Sequence, residues 1–149
     1  MATNSAAIVV GRLLEIRAAA GYRSAAEVDE LFDAIDREIA KLPASTQIVT
    51  AADWRQCPIM NTEASDRVLQ RIVALNPRTE RSSAIASLRS PTAVLQFMRL
   101  IREARLSDRK MFFDAEEQIE FLGEGLTSAG RARLRVFLSY YRPHLPLLA

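Results

Sequence analysis

The feature that most constrains this chain is the alternation of two apolar patterns along it. Short apolar runs such as Ile48-Val49 alternate with longer segments in which apolar side chains recur at helical spacing. One of these longer segments carries its apolar residues at Val28, Leu31, Phe32, Ile35 and Ile39. The short runs predict strands, and the helical spacing predicts helices with one buried face. Strands separated by helices need crossover connections, so the sequence predicts an α/β fold with a largely parallel sheet.

The predicted elements follow the order β-β-α-β-α-β-α-β-α-α. Residues 8–17 predict a hairpin that turns at Gly11. The stretch Ser24-Ala25-Ala26-Glu27 is a capping box, which predicts the start of the first helix. Ser90-Pro91 predicts another helix start, with proline in the first helical position. The other predicted strands are 46–51, 82–88 and 110–113, and the other helices begin near Asn61 or Thr62, Asp114 and Ser128.

Length and composition indicate one domain. We predict a single domain over residues 1–149, with a core over about 8–122 and a C-terminal helical extension over about 127–142. The net charge of +2 is too small to indicate a nucleic-acid partner. No apolar run approaches the ~20 residues of a membrane span, and the first residues do not resemble a signal peptide. We therefore expect a cytoplasmic protein that does not insert into a membrane.

The residue types that carry most enzyme chemistry are scarce. Cys57 is the single cysteine and His144 the single histidine, which excludes a cysteine zinc cage, a multi-histidine metal site and a histidine-based triad. The carboxylates of Asp53, Glu63 and Asp66 are close in sequence but match no known metal loop. No glycine pattern is typical of a phosphate-binding loop. We expect no enzymatic activity, no cofactor and no bound metal.

Two basic segments favour a solvated surface. Arg99 and Arg102 begin a stretch that continues through Arg109 and Lys110, and nearby acids such as Glu103 balance it. In the last predicted helix, Arg residues alternate with apolar ones. Its dense apolar residues predict packing on the sheet or against a second copy in a homodimer. These residues are Phe137, Leu138, Tyr140 and Tyr141.

Three stretches carry a resemblance to a known family. They are the hairpin at residues 8–16, the strand and loop at 48–54, and the C-terminal run at 109–122. Their layout resembles the STAS fold of anti-sigma-factor antagonists, especially its SpoIIAA-like bacterial relatives. The resemblance implies a mixed, largely parallel sheet of four to five strands, an N-terminal β-hairpin, helices packed on the sheet and an extra C-terminal helix. It also implies regulatory protein–protein interaction in signalling.

In the antagonists, a serine near the start of the helix after the central strand is phosphorylated. The best matching stretch here is Met60-Asn61-Thr62-Glu63-Ala64-Ser65. Glu63 occupies the acceptor position and Ala64 replaces the glycine of the family, a departure that argues against a phosphorylation switch. Whether Thr62 or Ser65 accepts a phosphate stays open. The start of a helix still favours an anion, because its first amides are free.

The predicted binding surface is therefore the loop over residues 53–65 and the helix that follows it. Its candidate residues are Asp53, Trp54, Asn61, Thr62, Glu63 and Ser65. The expected partner is a regulatory protein. The alternative function is transport of a small apolar ligand or lipid, because STAS-like domains resemble lipid-binding folds of the CRAL-TRIO type.

Overall fold

Residues 3–141 of the chain are described by a computed structural model, which begins with the predicted hairpin. Strands β1 (Asn4–Ile8) and β2 (Leu13–Ala18) pair in antiparallel orientation, with Ala6 opposite Ile16. Gly11 lies in the connecting turn with a φ of +57°. This is the left-handed region, which glycine adopts without the steric cost of a Cβ atom.

Three further strands complete one sheet. They are β3 (Ile48–Asp53), β4 (Thr79–Ile85) and β5 (Arg109–Phe112). The order across the sheet is β1-β2-β3-β4-β5, and every pair from β2 to β5 is parallel. The predicted α/β class and the mixed, largely parallel five-stranded sheet are confirmed.

Within residues 3–141, five α-helices cover the sheet in two layers. The helices α1 (Ala25–Ile39), α2 (Thr62–Leu75) and α3 (Pro91–Glu103) connect the parallel strands. Parallel crossovers are right-handed in nearly all proteins, and a sheet that grows in one direction then places its crossover helices on one face. The helices α4 (Ala115–Gly123) and α5 (Ser128–Ser139) follow the last strand and pack on the opposite face.

Each face of the sheet has its own apolar core. The larger core lies between the sheet and α1–α3, and it contains Leu14 and Phe97. The smaller core lies under α4 and α5, and it contains Leu13, Leu134 and Phe137. Leu13 and Leu14 enter different cores because successive side chains of a strand point to opposite faces. Helix α5 is thus packed on the sheet.

The helix starts agree with the sequence prediction. Ser24 Oγ accepts a hydrogen bond from the Glu27 backbone N–H at 3.2 Å, and the Asp114 carboxylate accepts one from the Glu117 N–H at 3.1 Å. Pro91 is the first residue of α3, where its missing N–H costs nothing. Local capping chemistry is readable from sequence because it involves residues only three positions apart.

The strand bounds differ from the prediction. β1 covers Asn4–Ile8, so the predicted first strand at residues 8–10 overlaps it only at Ile8, and Val9 and Val10 lie outside it. This half-exposed edge strand consists mainly of polar and small residues, which give little apolar signal. β3 ends at Asp53 instead of residue 51, and β4 covers Thr79 onward instead of Ser82 onward. β5 is shifted by one residue. Asp53 belongs to β3 because Arg17 of the neighbouring strand neutralises it, which an apolar pattern cannot show.

Candidate functional site

Asp53 ends β3 with its side chain on the α4–α5 face, and it is only 3% exposed. Arg17 of β2 lies beside it in the parallel register and donates from Nη1 to Asp53 Oδ2 at 3.0 Å. Arg55 donates to both oxygens, from Nε to Oδ1 and from Nη2 to Oδ2, each at 2.9 Å. One carboxylate therefore holds two guanidinium groups in charge-assisted hydrogen bonds, which are among the strongest in proteins.

The same two arginines also bind the end of α5. Arg17 Nη2 donates to the carbonyl of Phe137 at 2.9 Å, and Arg55 Nη2 donates to the carbonyl of Leu138 at 2.9 Å. Carbonyls in the last turn of a helix lack intrahelical partners and favour cations. We call Arg17, Asp53 and Arg55 the Asp53 cluster. The sequence places Asp53 in a binding loop, whereas the structure buries it in a cluster that fastens α5 to the sheet.

Trp54 lies in the larger core. Its ring centroid is 4.8 Å from that of Phe97, and the two ring planes are tilted by 54°. Its backbone N–H donates to the carbonyl of Ile85 at 2.9 Å, which extends the pairing of β3 and β4 by one residue. The indole is buried, so its contacts are those of a packing residue.

Two buried groups near Trp54 are unsuited to nucleophilic chemistry. Burial raises the pKa of the Cys57 thiol to about 12. Burial also raises the pKa of the Tyr22 phenol, and the charge of Cys57 adds to this effect. A thiol with such a pKa is protonated at neutral pH, and the thiolate is the reactive form.

Asn61 fixes the start of α2. Its Oδ1 accepts a hydrogen bond from the Ala64 N–H at 2.9 Å, and its Nδ2 donates to the carbonyl of Arg23 at 2.9 Å. The first contact is a helix cap, and the second joins α2 to the segment that precedes α1. The sequence prediction of a helix start at this position is confirmed.

The remaining candidates lie in the first turns of α2 with different exposure. Thr62 and Glu63 are exposed, and Ser65 is half-buried. A carboxylate in the first turn is favoured by the helix dipole. The structure thus places Asn61, Thr62 and Glu63 together on the surface, separate from the buried Asp53 and Trp54.

Exposed apolar residues lie just before this helix start and on α3. Ile59, Leu95 and Met98 are 53%, 69% and 48% exposed. Gln96 ties their two segments together, because its Oε1 accepts from the Met60 N–H and its Nε2 donates to the Met60 carbonyl, both at 2.8 Å. We call the exposed residues of these two segments, Ile59, Thr62, Glu63, Leu95 and Met98, the α2–α3 surface.

A second buried ion pair escaped the sequence prediction. Glu15 of β2 accepts from Nε and Nη2 of Arg133 on α5, at 2.6 and 2.7 Å. This pairing raises the pKa of Arg133. The sequence did carry a signal for buried charge in β2. Glu15 and Arg17 are two residues apart in an otherwise apolar strand, so their side chains share one face. Their partners could not be read from the sequence.

Arg109 is a further residue that the sequence misplaced. The sequence assigns it to a solvated basic face, whereas the structure buries it on the α1–α3 face. It lines a cavity of about 40 Å³ inside the larger core, together with Thr50 and Ser82. In the parallel register Thr50 pairs with Ser82 and Ser82 with Arg109, so the three form one row across β3, β4 and β5.

Carboxylates that are close in sequence are not brought together as metal ligands. Asp53 faces α4 and α5, whereas Glu63 and Asp66 lie on α2 in the opposite layer. Among residues 3–141, no three His, Cys, Asp or Glu side chains are grouped as a metal ion would require. The prediction for His144 lies outside the described residues.

The fold and these contacts define an α/β domain whose five-stranded sheet separates two helical layers. No helix within residues 3–141 has both the length and the apolar composition that crossing a bilayer requires. No family model, no curated protein and no solved structure matches the chain. The function must therefore be argued from the surface and the interior of this domain.

Proposed function

We propose that this chain is a non-enzymatic regulatory module of the STAS-like, SpoIIAA-like type that binds a partner protein through the α2–α3 surface. The observation that carries the proposal is the exposure of Ile59, just before α2, and of Leu95 and Met98 on α3, two segments that Gln96 joins. Leu95 and Met98 are one turn apart and so share a face of α3. Neighbouring exposed apolar side chains, rimmed by polar ones, are typical of protein interaction sites.

The charge of this surface indicates the chemistry of the partner. Glu63 is exposed at the start of α2, and it forms no ion pair with any residue in the described part of the chain. A partner that presents apolar side chains flanked by Lys or Arg would bury the apolar patch and pair with Glu63. Complementary charge of this kind contributes mainly to specificity and to the association rate.

The resemblance stated above supplies the biological setting of the proposal. A SpoIIAA-like module would act in the cytoplasm of a bacterium, in a signalling pathway. In this proposal the negative charge of Glu63 is permanent and supplies part of the charge that a phosphate would carry. Thr62 is exposed and thus accessible to a kinase, whereas Ser65 is half-buried.

The experiment compares binding of the wild-type chain with that of surface variants. A partner captured from the source organism is purified, and its Kd is measured by calorimetry. We expect Glu63→Lys and Leu95→Ser each to raise the Kd at least about tenfold, which corresponds to about 1.4 kcal/mol. The matched control is Val9→Ser, because Val9 is also an exposed apolar residue but lies between β1 and β2.

Two outcomes would contradict the proposal. One is an unchanged Kd in both Glu63→Lys and Leu95→Ser. The other is an equal loss of binding in Val9→Ser, which would place the interface outside the α2–α3 surface. Asp53→Ala is unsuitable here, because removal of a buried carboxylate tests the fold and not the surface.

A homodimer remains part of the proposal. Val136 and Tyr140 are exposed apolar residues of the α5 region, which a second copy could cover. Sedimentation at increasing protein concentration tests this directly. We expect a dimer whose dissociation constant rises in Val136→Ser, and a monomer at all concentrations would contradict it.

A further inference from the structure

Arg109 is a buried cation for which residues 3–141 supply no acidic partner. It is 6% exposed, and its Nη1 donates to Asn76 Oδ1 at 2.6 Å. Within residues 3–141 it forms no salt bridge, whereas Arg17 and Arg55 share Asp53. Burial of an unpaired charge is costly. Burial lowers the pKa of Arg109 to about 10, so the guanidinium is still charged at neutral pH.

Two helix ends offset part of this cost. Asn76 is the C-cap of α2, and its Nδ2 donates to the carbonyl of Ala104, the C-cap of α3, at 2.8 Å. Arg109 therefore lies near the C-terminal ends of both helices, whose dipoles favour a cation. These ends carry only partial negative charge, so they leave part of the cation's charge unbalanced.

The row that contains Arg109 also holds two hydroxyls, those of Thr50 and Ser82. Thr50 and Ser82 are buried, and neither side chain makes a hydrogen bond to any residue in the part of the chain that the structure describes. Thr79, which lines the same cavity, differs because its Oγ donates to the carbonyl of Leu75 at 2.7 Å. Buried hydroxyls are normally hydrogen-bonded. The row thus offers one cation and two hydroxyl donors to the cavity.

The other walls of the cavity are apolar. Phe32, Val68 and Ile72 line it from α1 and α2. Trp54 also lines it, just after the C-terminal end of β3, whereas Arg109 lies at the N-terminal end of β5. A cavity of about 40 Å³ has room for about three water molecules. Water can satisfy the two hydroxyls, but it cannot neutralise a buried guanidinium.

We propose that this cavity binds a short-chain aliphatic carboxylate. Its carboxylate pairs with Arg109 and accepts from Ser82 and Thr50, and its alkyl chain extends along the apolar walls towards Trp54. The planar fork of an arginine matches a carboxylate better than other cations do. This site lies in the interior and is separate from the α2–α3 surface, so it goes beyond the proposed function.

The test uses Trp54 as a reporter, because it is the single tryptophan of the chain and lines the cavity. The full chain is titrated with butyrate, 1-butanol, butylamine and inorganic phosphate while its fluorescence is recorded. We expect saturable binding of butyrate, at least tenfold weaker binding of 1-butanol, and no binding of butylamine or phosphate. Equal binding of 1-butanol, tighter binding of phosphate, or no saturable response to butyrate would overturn the proposal.

Variants locate the site. Ala84→Val adds two methyl groups inside the cavity, and Ser82→Ala removes one donor. We expect Ala84→Val to abolish butyrate binding and Ser82→Ala to weaken it several-fold, while both still unfold cooperatively. Wild-type affinity in both variants would overturn the proposal.

The control is Lys110→Met, because Lys110 follows Arg109 but lies over the ring of Phe121 on the opposite face. Butyrate binding should be unchanged in Lys110→Met, and an equal loss there would contradict an interior site. Glu63→Lys should also bind butyrate normally, so a failure of the cavity proposal is distinguishable from a failure of the interaction surface.

Discussion

Buried charged groups are paired differently on the two faces of the sheet. On the α4–α5 face, buried charges meet opposite charges: Asp53 holds Arg17 and Arg55, and Glu15 holds Arg133. On the α1–α3 face, the buried charge of Arg109 has no acidic partner within residues 3–141. The difference separates a face whose polar groups hold the fold together from a face whose polar groups remain available to a ligand.

The paired charges add to the apolar contacts of the helix that they attach. Helix α5 buries Leu134, Phe137 and Leu138 against the sheet. The Asp53 cluster supplies directional contacts that orient this helix. Such pairs add little net stability compared with apolar residues, but removal of one partner is costly.

The largest effect expected on this comparison is that of Asp53→Ala. The substitution leaves Arg17 and Arg55 partly buried without their shared carboxylate, and breaking a buried ion pair costs about 3–5 kcal/mol. We expect the free energy of unfolding in urea to fall by this amount. The control, Asp66→Ala, removes an exposed carboxylate of α2 and should change little. A loss below about 1 kcal/mol in Asp53→Ala would contradict the fastening role.

The next effect is the change in the free energy of unfolding when an alanine on each face is enlarged to valine. Ala51 is fully buried in the smaller core, whereas Ala84 lines the cavity of the larger core. Overpacking of a filled core costs about 1–3 kcal/mol, so Ala51→Val should destabilise by that amount in urea. Ala84→Val fills space and should change the free energy of unfolding by less than about 1 kcal/mol. The reverse order would mean that the cavity does not accept added volume.

These contrasts mark the limit of sequence prediction. The helical spacing of Val28 and Ile35, and the cap at Ser24, depend on nearby residues, so the fold class and the helix starts could be predicted. The pairing of Arg17 with Asp53 joins residues that are 36 positions apart, and it depends on the register between β2 and β3. The burial of Arg109 depends on which face of β5 it occupies, and a basic segment alone favours a solvated surface. Long-range register was the information that the sequence lacked.

A third effect is a pH dependence of stability that comes from Cys57, which is buried on the α1–α3 face. In the folded chain the pKa of Cys57 is raised to about 12, whereas an unfolded cysteine titrates near 9. The folded state therefore binds the proton more tightly, so its stability is complete below pH 9 and declines as the pH rises towards 12. We expect a loss of about 1 kcal/mol between pH 8 and pH 10.

The measurement is urea unfolding at both pH values, with Cys57→Ala as the control. This variant should lose most of the pH dependence, because an unfolded tyrosine titrates at a higher pH than an unfolded cysteine, so the raised pKa of Tyr22 contributes less over this range. An identical pH dependence in Cys57→Ala would assign the effect to another group.

The smallest effect is expected where an ion pair on the α4–α5 face is exposed. Arg135 of α5 donates from Nη1 to Glu116 Oε1 at 2.6 Å, and the two side chains are 56% and 68% exposed. Water and salt screen such a pair, and exposed pairs often contribute nothing measurable. We expect Arg135→Gln to leave the urea midpoint unchanged, although the pair joins α4 to α5. A loss similar to that of Asp53→Ala would mean that distance, and not burial, decides the value of an ion pair here. An unchanged midpoint would mean that the exposed pair contributes little, which agrees with attachment of α5 through the buried carboxylates Asp53 and Glu15.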